Sequence, residues 1–307
     1  MRILYVNTPL YDFLTATLIE GLKELGHQVL TTESANYGTK IEDREVAAVA
    51  ESADLIIVGS NVGVRSELIH QVNNPRRVLV DGSDYQSFWI CESRPVPFKM
   101  TFKRELSRCY LTAEQEHVFP LPFAAEKRYF CYNGEHKDLL ISFLATMTGN
   151  PWRLSVHQRL LNLKNQLVVS GRTKADPNAP PANRALPSFD PVYYTILRHS
   201  QIGINVMGEG YDCGRFWEIL AAKAMLLTQK LDIVIPDDFT DGVNCVTFAS
   251  LDEFDDKLKF YLDRPDLVRT IAERGYQHLL QYHTTAKRAE YFLRVVAAHI
   301  HCSGPCC

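Results

Sequence analysis

No run of apolar residues in this chain approaches the roughly 20 needed to cross a bilayer, and the opening Arg2-Ile-Leu-Tyr-Val-Asn7 has the pattern of a strand, not of a signal peptide. A soluble, cytoplasmic protein without a membrane span is expected. Concentrated positive charge is also missing. The 33 Lys and Arg stand against 36 Asp and Glu for a net charge of −3, with no basic stripe, which argues against nucleic acid as a partner. No GxGxxG follows a strand, so a dinucleotide cofactor and a Rossmann-type methyltransferase are disfavoured. A repeat of roughly 20–50 residues is absent as well, which removes solenoids and propellers. Cysteines number eight, but none forms a CxxC pair and no histidine stands at ligand spacing, so buried free thiols are expected in place of a metal site. The exception is the tail His301-Cys-Ser-Gly-Pro-Cys-Cys307, which reads as disordered.

At 307 residues the chain has room for two cores of roughly 100–150 residues each. Arg2–Asn7 is a continuous apolar run, the mark of a strand buried on both faces of a parallel sheet. Leu14, Leu18, Ile19, Leu22 and Leu25 follow at helical spacing, Gly26 stops the helix, and His27–Thr31 returns as a strand. The alternation continues through a helix near Asp43–Glu51, a strand at Leu55–Val58, a helix near Arg65–Val72 and a strand at Arg77–Asp81. Ser93–Pro97 and Phe119–Phe123 carry prolines that break regular elements. Strands at Leu139–Thr146 and Leu167–Ser170 then alternate with helices at Trp152–Leu163 and Val192–His199, so a second array begins. Thr173–Ser188 is too polar and proline-rich for a core and reads as a loop. Helices at Leu251–Leu262, Pro265–Tyr282 and Thr284–Ile300 close the chain. The expected fold is α/β, with two Rossmann-like domains over residues 1–125 and 126–283, a final helix over 284–300 and a tail over 301–307. In such folds ligands bind at the carboxyl ends of the strands.

The richest stretch is Gly203-Ile-Asn-Val-Met-Gly-Glu-Gly-Tyr-Asp-Cys-Gly-Arg-Phe-Trp-Glu-Ile-Leu-Ala-Ala-Lys-Ala-Met-Leu-Leu-Thr228, a strand, a Gly-rich loop, an apolar helix and a second strand. Glu218 lies in the first turns of that helix. An ionised carboxylate there can accept from both ribose hydroxyls, each charged hydrogen bond contributing about 1.5–3 kcal/mol. Arg215, three residues earlier on the same face, and the unpaired amides of the helix N-terminus suit a diphosphate. Asn205, Gly208, Gly210 and Gly214 let the loop backbone approach a ligand. Glu218 read as a dipole partner and Arg215 as a surface residue is the competing account. The flanking Phe-Trp and Ile-Leu-Ala-Ala weigh against it, because an unpaired charge among core residues is costly.

Other candidates are weaker. Gly171 and Arg172, in Ser170-Gly-Arg-Thr173, end a strand of the same half and offer a second phosphate cation or a simple turn. Arg153, after Thr146-Met-Thr-Gly-Asn-Pro-Trp, reads as a helix-face residue. Asp81 and Asp84 end a buried strand in Val80-Asp-Gly-Ser-Asp-Tyr85, as general base for an acceptor or as turn formers. Lys103 and Arg104 in Phe102-Lys-Arg-Glu105 are solvated charges or cations facing the ligand, and Asn7–Tyr11 lies at the end of the first strand.

From Tyr193 to Leu293 the chain resembles the GT-B glycosyltransferases, most closely the spore-maturation (CgeB-like) kind related to the large family-4 group. The likeness rests on Tyr193–Asn205, Arg215–Thr228, Asp241-Gly-Val-Asn-Cys-Val-Thr-Phe, Leu251-Asp-Glu-Phe, Tyr261-Leu-Asp-Arg-Pro and Tyr282-His-Thr, with echoes at Phe102–Leu106 and Leu121–Phe130. It implies a metal-independent transfer from a nucleoside diphosphate sugar, with no further cofactor, the two domains facing a central cleft and the donor held mainly by the second. The acceptor, whether glycan, protein or small molecule, is not specified. Glu218 matches the ribose-binding glutamate. The motif's earlier glutamate, a contact to the donor sugar, would stand eight residues before it, whereas Glu209 stands nine before. The family's glycine after the helix is Lys223 here. The final helix resembles the segment that crosses back to the first domain. An epimerase, a phosphorylase or a non-catalytic ligand-binding module are the alternative readings.

Overall fold

The computed structural model describes residues 1–7, 13–33, 38–59, 66–72, 74–86, 98, 100–110, 117–147, 150–171 and 191–300. The expected breaks at Ser93–Pro97, the loop at Thr173–Ser188 and the tail at 301–307 lie outside them. The chain divides into two compact units. One comprises residues 1–124, 233–236 and 284 onward, the other 125–232 and 237–283.

In the first unit, β1 (Arg2–Val6), β2 (Gln28–Thr31), β3 (Thr39–Lys40), β4 (Leu55–Gly59), β5 (Arg77–Asp81), β6 (Thr101–Lys103) and β7 (Val118–Pro120) form one sheet in the order β3-β2-β1-β4-β5-β6-β7. Every pairing is parallel, with Ile3 opposite Leu55 and Val80 opposite Phe102. Ile3, Tyr5, Val6, Ile56, Ile57 and Val58 are fully buried, as continuous apolar runs in a parallel sheet require. The helices are α1 (Phe13–Glu24), α2 (Val46–Ser52) and α3 (Ser66–Gln71). Gly26, at φ +79°, ends the first of these by turning through the left-handed region. Strand β7 corrects the expectation that the prolines of Phe119–Phe123 break regular structure. Phe119-Pro120 is accommodated because β7 is the edge of the sheet, where a missing amide donor costs no ladder bond.

The second unit carries β8 (Leu139–Leu144), β9 (Val168–Gly171), β10 (Ser200–Asn205), β11 (Met225–Gln229) and β12 (Val246–Phe248), parallel throughout, in the order β12-β11-β10-β8-β9. Its helices are α4 (Pro151–Asn162), α5 (Pro191–His199), α6 (Gly214–Ala221), α7 (Leu251–Leu262) and α8 (Pro265–Tyr282). Two have side-chain caps: Asn150 accepts from Trp152 N–H at 2.9 Å and Ser250 from Glu253 N–H at 3.1 Å. Ile141, Phe143, Ile204, Met225, Leu227, Phe248, Phe254 and Ile271 lie in one buried cluster. The chain leaves β8 for β9 on one side and returns to β10 on the other. Strand order therefore reverses between β8 and β10, and the crevice beyond their carboxyl ends is this sheet's ligand position.

The last helix, α9 (Thr285–Ile300), packs on α1 in the first unit. The approach is so close that a Cβ on Gly21 would stand 2.0 Å from the Thr285 carbonyl oxygen, which only glycine allows. Among the described residues no helix is long and apolar enough to cross a membrane.

Candidate functional site

The site grows from the packing of α6 against β10. Phe216, Trp217, Ile219, Leu220 and Ala221 are buried, which leaves Arg215 and Glu218 on the remaining face, three residues and one turn apart. Close contact fixes that face. A Cβ at Gly203 on β10 would meet the Ile219 side chain at 2.6 Å, so glycine there lets the helix lie against the strand. Trp217, fully buried, donates from Nε1 to Asp212 at 2.9 Å and pins the loop before the helix.

Arg215 and Glu218 line a cavity of about 220 Å³ together with Leu144, Ala145, Thr146, Tyr193, Cys213 and Gly214. This is the mouth of the β8/β10 crevice. The volume is below the roughly 300–1,000 Å³ of complete small-molecule sites, so it suits part of a ligand. Gly214 is the first residue of α6, and its N-cap, Cys213, makes no side-chain capping bond, so the helix end presents amides and a positive dipole. Arg215 donates from Nε to Leu144 O at 2.7 Å and from Nη1 to Val206 O at 3.3 Å and Asn205 Oδ1 at 3.4 Å. Its Nη2 makes no hydrogen bond to the described residues and remains for an anion.

Glu218 accepts from two phenols, Tyr193 on Oε2 and Tyr194 on Oε1, the latter at 3.3 Å. Burial pushes its carboxyl above the ordinary range. The Tyr193 hydrogen bond, the Arg215 charge, the Tyr194 bond and Arg128 pull it back. Burial and the Glu218 charge push both phenols up, so they stay protonated donors. Neither tyrosine carries a sequence signal beyond an aromatic pair on a short helix.

Asn205, at the end of β10, is fully buried, with Nδ2 on Thr228 Oγ1 at 3.1 Å and Oδ1 on Arg215. It braces the arginine, a role different from the expected opening of the loop. Arg153 is the second correction. It is only 8% exposed, and its guanidinium donates to Met207 O and Thr146 O, each at 2.9 Å, and to Val206 O at 3.4 Å. The residue ties the ends of β8 and β10 together; burial, then Arg215, lowers its proton affinity. Gly208 leaves room for it, since a Cβ there would lie 3.0 Å from Nη2. Glu209 is exposed on the turn before α6. Gly171 ends β9 with nothing within 4 Å of where a Cβ would be, so no close approach demands glycine. Arg172 lies outside the described residues.

In the first unit Asp81 and Lys103 are fully buried and paired at 3.1 Å, and Asp81 also accepts from Ser83 N–H at 3.0 Å. The expectations of Asp81 as a base open to an acceptor and of Lys103 as a solvated or ligand-facing cation are thereby corrected: each is the other's counter-charge. Asp84, with 46% of its side chain exposed, pairs with Arg104, which also meets Glu105 at 3.3 Å. Among the described residues no group of acids, histidines or cysteines is arranged to hold a metal.

A family model described as "Glycosyl transferase-like" matches residues 164–294, the stretch that contains α5, β10 and α6. Among solved structures, a glycosyltransferase from Rickettsia africae ESF-5 is similar over 99% of this chain and 99% of its own, with a TM-score of 0.67 and 13% identity. Sucrose-phosphate synthase from Thermosynechococcus elongatus covers 99% and 100%, with a TM-score of 0.63 and 10% identity. HepE from Anabaena, solved in complex with UDP, covers 97% and 100%, with a TM-score of 0.61 and 10% identity. A search among curated proteins finds no match. At these identities the structural likeness is one of fold: the chain has the two parallel-sheet α/β units of the GT-B glycosyltransferases. Family match and fold together support a glycosyltransferase.

Proposed function

We propose that this chain is a GT-B glycosyltransferase that moves a sugar from a nucleoside diphosphate donor to an acceptor hydroxyl, as a relative of the spore-maturation (CgeB-like) group. One observation carries the reading: the Glu218 carboxylate, the Arg215 guanidinium and the N-terminus of α6 at Gly214 share one cavity at the strand-order reversal. Glu218 takes the ribose hydroxyls. Arg215 and the helix terminus take the diphosphate, which leaves with the negative charge as the glycosidic bond to it breaks. Arg172, one residue beyond β9, is assigned as a second cation there, and Glu209 to the sugar. These cations supply the charge stabilisation that a metal ion would otherwise bring, so the transfer runs without one. Catalysis is mostly positioning and electrostatics. Asp84 is assigned to the acceptor.

Calorimetric titration with UDP, GDP, ADP, CDP and dTDP tests the reading. Glu218→Ala is expected to weaken the binding of the preferred nucleotide about 10- to 100-fold while the protein stays folded. Unchanged affinity in that variant sinks the assignment.

A further inference from the structure

Resting on the donor reading above, we propose that Tyr193 and Tyr194 are positioning residues. Their phenols occupy one acceptor position on each oxygen of Glu218 and leave the others for a vicinal diol, so the site takes ribonucleoside diphosphates and refuses their 2′-deoxy counterparts.

The argument begins with a count of acceptor positions. An ionised carboxylate offers about four, two on each oxygen. Tyr193 donates to Oε2 and Tyr194 to Oε1, one phenol per oxygen. Arg215 takes none of the rest. Its Nε goes to Leu144 O at 2.7 Å and its Nη1 to the end of β10, and it forms no ion pair with Glu218. Among the described residues, what remains is one open position per oxygen, the demand that two neighbouring hydroxyls meet. A 2′-deoxyribose supplies one hydroxyl and leaves the second position unmatched in a half-buried site, where an unpaired polar group is costly.

Both phenols are braced by neighbouring rings. Tyr194 is 7% exposed and stacks on Tyr129 with ring centroids 5.9 Å apart and planes 21° apart. Tyr129 in turn donates to Glu126 at 3.3 Å, and Glu126 pairs with Arg128 at 2.6 Å. The Tyr193 ring stands edge-on to Tyr194, at 5.1 Å and 86°. The carboxylate is thus held by two packed rings, Tyr193 at the cavity wall and Tyr194 behind it. The charges facing it are Arg215 on its own helix and Arg128 beside Tyr129.

The test compares UDP, CDP, GDP and ADP with their 2′-deoxy forms on the full chain, for the wild type and for Tyr193→Phe, Tyr194→Phe and Glu218→Gln. The wild type is expected to prefer its ribonucleotide by about tenfold or more. Tyr193→Phe should bring that ratio close to one. It should also move the acid limb of nucleotide binding to higher pH, because a phenol that stabilised the carboxylate is gone. Tyr194→Phe, with the longer bond, should do the same more weakly, and it carries the test if the first variant does not fold. A tyrosine that merely filled space would lower the melting temperature and leave the ratio and the pH limb alone; that result overturns the inference. So does a wild type that binds both sugars equally. If Glu218→Gln loses binding while the tyrosine variants keep the wild-type ratio, the donor reading stands and this inference falls. A wild type that binds no nucleoside diphosphate overturns both.

Discussion

Arg153 and Arg215, on different helices, donate to the same carbonyl oxygen, that of Val206, at 3.4 and 3.3 Å. Neither forms an ion pair with a carboxylate among the described residues, so two positive charges converge on the mouth of the β8/β10 crevice, with Glu218 the nearby carboxylate that feels Arg215. Their remaining donors differ. Arg153 spends them on Met207 and Thr146, whereas Nη2 of Arg215 has no acceptor among the described residues. One guanidinium builds the mouth and the other is available to a ligand.

The two arginines should therefore separate on substitution. Arg215→Ala is expected to weaken a nucleoside diphosphate by about 1.5–3 kcal/mol, roughly 10- to 150-fold, and to leave the parent nucleoside almost unaffected. Arg153→Ala should instead lower stability by about 1–3 kcal/mol, since it strands buried carbonyl groups. Parallel titrations with diphosphate and nucleoside, and urea unfolding, read out the contrast. Equal losses for both ligands in the Arg215 variant would remove its phosphate role.

Asp81 and Lys103 make a different prediction. Breaking a fully buried ion pair by removing one partner is costly, so Asp81→Ala should cost about 3–5 kcal/mol, and Asp81→Ala with Lys103→Met should recover much of it. Urea midpoints of the two single variants and the double variant measure the coupling. An Asp81→Ala protein of unchanged stability that no longer transfers sugar would return Asp81 to the catalytic role.

The alternation of strands and helices was legible because a parallel sheet buried on both faces writes continuous apolar runs, as in Ile3–Val6 and Leu55–Val58. Strand β6 was not, because Lys103 sits in it. A lysine reads as solvent-facing until Asp81, 22 residues away, is known to lie beside it. The site divides in the same manner. Glu218 and Arg215 share one helix face and could be found from spacing. Tyr193 and Arg153 meet their partners 25 and 54 residues away in the chain, and no local periodicity reports such a contact.

Lys137 gives the fold a pH dependence of defined sign. Its Nζ donates to Arg198 O at 2.9 Å and Ala222 O at 3.0 Å, the carboxyl ends of α5 and α6, and burial pushes the ammonium down from its ordinary 10.5 to about 8. Between those values the unfolded chain holds a proton that the folded chain has released. Stability contributed at this position must then rise with pH across the window, and below about pH 8 the burial penalty is fully present. The stability difference between the wild type and Lys137→Met, from urea midpoints at about pH 7 and pH 9.5, should shift in favour of the wild type at the higher pH. A difference that is constant, or that moves the other way, counts against the shift.

The end of α6 supplies the last test. Lys223 N–H donates to Leu220 O at 3.0 Å and Ala224 N–H to Ile219 O at 3.2 Å, the paired bonds of a Schellman motif, and Lys223 occupies its left-handed position at φ 56°. Glycine is the usual residue there, and a side chain costs about 1 kcal/mol. The lysine offsets that strain through contacts: an ion pair with Glu273 at 2.6 Å, and an ammonium 5.6 and 5.5 Å from the Tyr132 and Tyr276 ring centroids. The ion pair is partly exposed and contributes at most about 1 kcal/mol, and the ring contacts about 0.5–1 kcal/mol. Lys223→Gly loses the contacts and sheds the strain, so its stability should stay within about 1 kcal/mol of the wild type. Lys223→Ala loses the same contacts and keeps the strain. It should therefore unfold at lower urea than the glycine variant, by about 1 kcal/mol. An alanine variant as stable as the glycine one would show that the backbone at this turn carries no strain.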